Sequence, residues 1–211
     1  MVGNETADEV QELTDMLNAA QQFVNEVREG GEPRWLTFVG LSGAGKTHLA
    51  KRIGDWLRKH GERYYNKNVR DSLDPDHEDI SFWFGYSQEG NYTLKWGTLI
   101  EELRSRDFTR WNRACKDYYK VIDDLGTNSF DREAQATPFA VQSMSELLDR
   151  RLRKWTVITA NFTRKQFAEK FDVRIASRLN RGDNVIIESN VRDYDLRREL
   201  LSKQPTTKKE N

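Results

Sequence analysis

The chain is poor in the residues that staple or interrupt small proteins. Its single cysteine, Cys115, has no partner for an internal disulfide, and four prolines in 211 residues leave long stretches free for regular structure. No apolar run approaches the roughly 18–20 residues of a membrane helix. With three histidines, His48, His60 and His77, beside one cysteine, no zinc-ligand set exists. Charge of neither sign is in excess, at 34 Lys+Arg against 34 Asp+Glu, so net charge does not point to a polyanion. The opening MVGNETADEVQELTD is acidic and polar and lacks the basic and apolar regions of a secretory leader. These absences predict a soluble, cytoplasmic protein with no membrane partner.

What is present suits one domain with a sizeable core. Aromatics reach 11%, with six Trp, which argues against a disordered chain. The charge is unevenly spread: residues 1–30 carry seven acids and one base, and residues 111–211 carry twenty bases and fifteen acids. That polarity reads either as a solvated acidic helix beside an ordinary domain or as a basic face that meets phosphate. The predicted division is an acidic helix and linker over 1–32, a folded domain over 33–200 and a polar tail over 201–211.

Periodicity predicts a helix over 5–29, with Val10, Leu13, Leu17, Ala20, Val24 and Val27 on its apolar face. A buried strand follows at 35–39. A helix runs from about Thr47 to His60 and is expected to stop at Gly61. Further strands are predicted at 118–122, 155–159 and 184–187, with a weaker candidate at Ile80–Phe84. Leu99, Ile100 and Leu103 mark one more helix, and Met144, Leu147, Leu148 and Leu152 another. Strands alternating with helices predict an α/β protein, a three-layer parallel sheet covered on both faces.

Gly40-Leu41-Ser42-Gly43-Ala44-Gly45-Lys46-Thr47 fits G-x-x-x-x-G-K-[ST], directly after a strand and opening a helix. Each part has a chemical reason. Glycines let successive N–H groups point inward around a phosphate, and the helix start adds its positive dipole end. Lys46 supplies an ammonium to the β- and γ-phosphates, and the Thr47 hydroxyl a ligand for Mg²⁺. His48 follows on the same helix and joins residues 40–47 as a candidate nucleotide contact. The strand Tyr118 to Ile122 runs into Asp123 and Asp124. Ligands of parallel α/β sheets bind at the carboxyl ends of strands. Asp123 is therefore the expected second metal residue, and Asp124 the group that orients or deprotonates the attacking water. The expected cofactors are ATP and Mg²⁺.

Here the chain resembles a family. Gly45-Lys46-Thr47-His48-Leu49-Ala50 and Val121-Ile122-Asp123-Asp124-Leu125-Gly126 are similar to the AAA+ P-loop ATPases of the DnaC/IstB group, helicase loaders and transposase helpers, with DnaA-type initiators as cousins. Thr156-Val157-Ile158-Thr159-Ala160-Asn161-Phe162 resembles the sensor strand, Arg174-Ile175-Ala176-Ser177-Arg178-Leu179 the arginine-finger helix, and Asp193-Tyr194-Asp195-Leu196-Arg197 the closing segment. The resemblance spans about residues 33–198. It implies Asn161 near the γ-phosphate, and Arg178, with Arg174 as second choice, reaching a neighbouring subunit's nucleotide in a homo-oligomer. Arg178 alternatively forms a surface ion pair with Asp172 or Asp183. Asp124 stands where most of the family has Glu. With 23 residues after Glu188, the helical lid is expected to be reduced or absent, leaving Arg192 and Arg197 as substitutes for its arginine.

The implied function is an ATPase that controls assembly on DNA, or on a replicative helicase or transposase. The alternatives are a nucleotide-gated adaptor without hydrolysis, docking through its acidic helix, and a small-molecule P-loop kinase. Single-stranded DNA is a possible ligand. Phe82, Trp83, Phe84, Tyr86, Tyr92 and Trp96 read as core or as base-stacking rings. Arg104, Arg106, Arg110 and Arg113, and Arg150, Arg151, Arg153 and Lys154, read as phosphate contacts or solvated helix faces.

Overall fold

The computed structural model describes residues 2–68, 93–126, 137–170 and 173–191. The candidate strand at Ile80–Phe84, the aromatics from Phe82 to Tyr92, the closing segment with Arg192 and Arg197, and the polar tail lie outside the described residues.

Among the described residues, five parallel strands form one sheet. They are β1 (Trp35–Gly40), β2 (Thr93–Lys95), β3 (Tyr119–Asp123), β4 (Trp155–Thr159) and β5 (Val185–Ser189), in the spatial order β2-β3-β4-β1-β5. The registers pair Lys95 with Asp123, Val121 with Val157, Phe38 with Thr159 and Gly40 with Ser189. Strands β1, β3 and β4 are buried throughout, as near-continuous apolar runs require in a sheet covered on both faces. One face carries α1 (Val2–Glu29) and α2 (Lys46–Asn68). Against the other lie α3 (Trp96–Arg104), α4 (Thr109–Lys116), α5 (Pro138–Arg150) and α7 (Val173–Leu179), and α6 (Arg164–Lys170) follows β4. The α/β three-layer expectation is met. The strand predicted at 118–122 is displaced by one residue, and the last strand extends to Ser189.

Three features differ from the sequence expectations. First, α2 continues through Gly61 to Asn68. One glycine inside a helix costs about 1 kcal/mol relative to Ala, too little to stop a helix by itself. Second, α1 keeps Ala20, Val24 and Val27 of its predicted face inward but turns Val10 and Leu17 out. Met16, Ala19, Ala20, Phe23 and Val27 are buried against β1, β4 and α2, while Val10 and Leu17 are 62% and 49% exposed. The reason is polar: Glu12 lies on the inward stripe, where its Oε2 accepts from the Asn190 amide at 2.7 Å and from the Ser189 hydroxyl at 3.2 Å. The Phe23 ring meets Trp155 edge-on at 5.0 Å between centroids, and Arg34 lies 5.5 Å over the Phe23 ring and pairs with Glu26.

Third, Arg151 is neither a solvated nor a phosphate-facing cation. It is fully buried where α5 turns back into β4. Its guanidinium donates to the carbonyls of Ala114 (3.0 Å), Asp117 and Trp155 (2.8 Å), and to the Thr156 hydroxyl at 3.0 and 3.1 Å. The end of α4 leaves carbonyls without helical partners, and one guanidinium satisfies those of Ala114 and Asp117 together with Trp155 of β4. Lys154 does the same nearby, donating to the carbonyls of Cys115 and, at 3.0 Å, Arg150. Trp96 is fully buried, so in its case the core reading holds, and Cys115 is buried as a free thiol. Among the described residues, no helix is long and apolar enough to cross a membrane.

Candidate functional site

The site forms where β1, β3 and β4 end side by side. Strand β1 closes at Gly40, the glycine-rich loop covers 41–45, and α2 begins at Lys46. Gly40 has φ of +121°, and a Cβ there would stand 1.8 Å from the Ser189 carbonyl oxygen of β5. Its amide donates to Phe162 O at 2.9 Å, and the Leu41 amide to Ser189 O at 3.3 Å. Gly45 has φ of +89° but open space at its missing Cβ. Two glycines of one motif therefore have different reasons. Gly40→Ala must move β5 or break the loop, whereas Gly45→Ala bears only backbone strain of about 1–2 kcal/mol. Thermal unfolding of the two variants should show the larger loss at Gly40, and an equal loss would refute the steric account.

A cleft of about 520 Å³ opens over this loop, lined by Leu41, Ser42, Gly43, Gly45, Lys46, Thr47, His48, Asp124, Asn161 and Phe162. Gly40, Ala44 and Asp123 are buried and do not line it. Lys46 is almost fully buried and curls back, donating to Leu41 O at 2.5 Å and Gly40 O at 3.1 Å. Burial pushes its pKa down to about 8, with the charges of Asp124 and then Asp123 opposing the shift.

Thr159, the last residue of β4, organises the acid pair. Its hydroxyl donates to Asp123 Oδ1 at 2.7 Å and accepts the Asp124 amide at 2.9 Å. Thr47 also donates to Asp123 Oδ1, at 2.7 Å. Asp124 has φ of +56°, a left-handed conformation that Asp tolerates better than most residues. Its Oδ1 accepts from Asn161 Nδ2 at 2.9 Å. Burial and then the Asp123 charge raise the Asp124 pKa, while the Asn161 hydrogen bond, Lys95 and Lys46 oppose the rise. The structure thus brings together Lys46, Thr47, Asp123, Asp124 and Asn161, with His48 exposed at the rim.

The residues present fit a magnesium ion. The donors are hard oxygens, a hydroxyl and a carboxylate, and Asp123 Oδ2 is buried with no hydrogen-bond partner. Such an orphaned anionic oxygen is costly unless a cation or its water shell meets it. Among the described residues, no group of three or more His, Cys, Asp and Glu side chains converges on a metal position. Magnesium is typically shared between one or two carboxylates and substrate phosphates.

The arginines of α7 lie elsewhere. This helix leads into the start of β5, at the end of the sheet opposite the phosphate loop. Arg178 forks onto Asp149 of α5, with Nε 2.5 Å from Oδ1 and Nη2 2.8 Å from Oδ2. The expected surface partners were Asp172 and Asp183; Asp172 lies outside the described residues, and the ion pair formed is with Asp149. Arg174 is exposed on the same helix.

Sequence reasoning missed Thr159, Glu12, Ser189 and Lys95. A threonine closing the otherwise apolar strand Trp155–Thr159 was a readable signal for the first. Glu12 acts across 177 residues, and no local pattern announces that. Glu12→Ala should weaken binding of a fluorescent ATP analogue about tenfold through loss of the Ser189 brace behind Leu41, while Glu12→Gln, which keeps an acceptor for the Asn190 amide, should stay within about threefold. Equal affinities in both variants would contradict the brace.

No protein-family model matches the chain, and no curated protein matches its sequence. Solved structures do. A DNA replication initiation factor is 15% identical over 86% of this chain and 49% of its own, with a TM-score of 0.50. Domain III of the replication initiation protein DnaA from Thermotoga maritima is 16% identical over 87% of this chain and 66% of its own, with a TM-score of 0.49. AMPPCP-bound DnaA from Aquifex aeolicus is 14% identical over 90% and 51%, with a TM-score of 0.47. The chain therefore spans between about half and two thirds of these molecules. Likeness at such identities concerns architecture: with this strand order and the glycine-rich loop between β1 and α2, the chain has a three-layer α/β P-loop fold and shares its architecture with that DNA replication initiation factor.

Proposed function

We propose that this protein binds MgATP in the cleft above Gly40–His48, hydrolyses it, and uses nucleotide state to control assembly on DNA or on a DNA-acting partner, in the manner of DnaC/IstB helicase loaders and transposase helpers. One observation carries the reading. Asp123 is gripped by Thr47 from the phosphate loop and by Thr159 from β4, with its second oxygen orphaned, which is the arrangement a phosphate-bound magnesium ion needs.

The residues divide the work. Loop amides from Gly43 to Thr47 and the Lys46 ammonium bind the β- and γ-phosphates; Lys46 must leave the Gly40 and Leu41 carbonyls to do so. Thr47 and Asp123 would hold magnesium, which when bound offsets phosphate charge. Asp124 accepts the proton of the attacking water, and Asn161 orients Asp124. Arg178, which must leave Asp149 to do so, or Arg174, acts only on a neighbour's nucleotide, because α7 ends far from the chain's own loop, and the active form is accordingly a homo-oligomer.

Asp124→Asn should keep affinity for an ATP analogue within about threefold and lower phosphate release by 10²-fold or more, the usual range for a lost general base. Unchanged release would remove Asp124 from the chemistry. Tight ATP binding with no release from the parent protein, DNA present, would leave the adaptor role. Capture from host extract with ATP-loaded protein, scored for helicase against transposase, tests the partner.

A further inference from the structure

We propose that the end of the sheet opposite the phosphate loop is a nucleic-acid-binding surface, in which Arg113 and Lys116 of α4 and Arg150, Arg153 and Lys154 at the end of α5 grip a phosphate backbone. The proposal deepens the DNA-related part of the functional reading and rests on it.

The two groups of cations are one surface because the chain ties them together. Helices α4 and α5 lead into the adjacent strands β3 and β4. Arg151 bonds the carbonyls of Ala114 and Asp117, and Lys154 that of Cys115, so the turn after α5 is clamped onto the end of α4. Arg113, Lys116, Arg150 and Arg153 are exposed around this clamp.

The acids of these elements are already engaged. Glu146 pairs with Arg150 at 2.8 Å, both carboxylate oxygens of Asp149 bond Arg178, and Asp117 is buried against Lys120 at 2.7 Å. While Arg178 stays on Asp149, no acid of α4, α5 or the turn that follows remains for Arg113 and Arg153. Burial and then the charge of the clamping Arg151 hold the Lys154 pKa down at about 8, with Cys115 and Asp117 opposing the shift and Arg150 adding least to it. Helix carbonyl ends attract single cations with about 0.3–1 kcal/mol, which accounts for one or two of them. It does not account for Arg153, placed at φ of +59°, where Gly or Asn would sit with less strain. A phosphate backbone supplies the anions that the acids of these elements do not offer Arg113 and Arg153. Guanidinium forks match phosphate oxygens, and three of the five side chains are arginine.

The test is fluorescence anisotropy with labelled single-stranded and duplex oligonucleotides on the full chain. The variant Arg113→Gln/Arg150→Gln/Arg153→Gln should bind the preferred strand at least tenfold more weakly, with the slope of log K against log salt reduced by about two. Its affinity for a nonhydrolysable ATP analogue and its melting temperature should match the parent's, which separates this surface from the cleft. A control that removes three exposed charges of α2, Lys51→Gln/Arg52→Gln/Lys59→Gln, should bind as the parent does. Equal oligonucleotide binding by the first variant and the parent would overturn the proposal. So would an equal loss in the control, parent binding to neither strand at physiological salt, or binding to phosphatidylserine vesicles alone.

Discussion

Lys46→Met is expected to lose affinity for MgATP by at least 100-fold, about 2.7 kcal/mol, while melting within about 3 °C of the parent protein. The two halves of that expectation have one cause. The Lys46 ammonium is buried and resting on loop carbonyls, and burial holds its pKa near 8, well below an ordinary lysine. A base whose pKa is lower in the folded state than in the unfolded chain costs stability while charged, so the free protein gains little from it at neutral pH. Its value appears when phosphates arrive. Titration with a fluorescent nucleotide and a thermal scan on the same sample measure both quantities. Retained binding would sink the phosphate-site assignment, and a collapse in melting temperature would make Lys46 structural instead.

Arg151→Met should do the reverse, leaving the cleft chemistry in place and removing about 3–5 kcal/mol of stability. At roughly 2–4 °C per kcal/mol for a chain of this size, the melting temperature should fall by about 6–20 °C. The lost guanidinium leaves the carbonyls of Ala114, Asp117 and Trp155 buried without that donor. Arg151→Lys should recover only a small part, because an ammonium cannot span carbonyls that a planar fork reaches from several sides. Full recovery by lysine, or a melting temperature unchanged by methionine, would show that charge or volume matters here and geometry does not.

The two residues also show what could be read in advance. Lys46 stands in a local motif with fixed spacing, and its chemistry depends on neighbours within eight positions. The acid pair was legible in the same way, as an apolar strand running into Asp123-Asp124, and Asn161 through its place after the strand Trp155–Thr159. Arg151 was not legible. In the run Arg150-Arg151-Leu152-Arg153-Lys154, four bases look equivalent, and only the carbonyls waiting at the end of α4 and the start of β4 decide which one goes inside. The facing of α1 was legible at Ala20, Val24 and Val27 but not at Val10 and Leu17, for a related reason. Several stripes satisfy three- and four-residue spacing, and Glu12 tips the choice by reaching a strand 177 residues away. The Arg178–Asp149 pair likewise joins two helices that only the fold brings together.

The anchoring of α1 bears on how its outer surface can be probed. Cutting the helix away would uncover Phe23's seat against Trp155 and release the carboxylate that ties Ser189 and Asn190. A truncated protein would then fail for reasons unrelated to any docking role, and its failure would be misread as loss of a binding arm. Point changes on the solvent side, at Asp8, Val10, Asp15 and Leu17, leave that seat intact and ask the recruitment question cleanly.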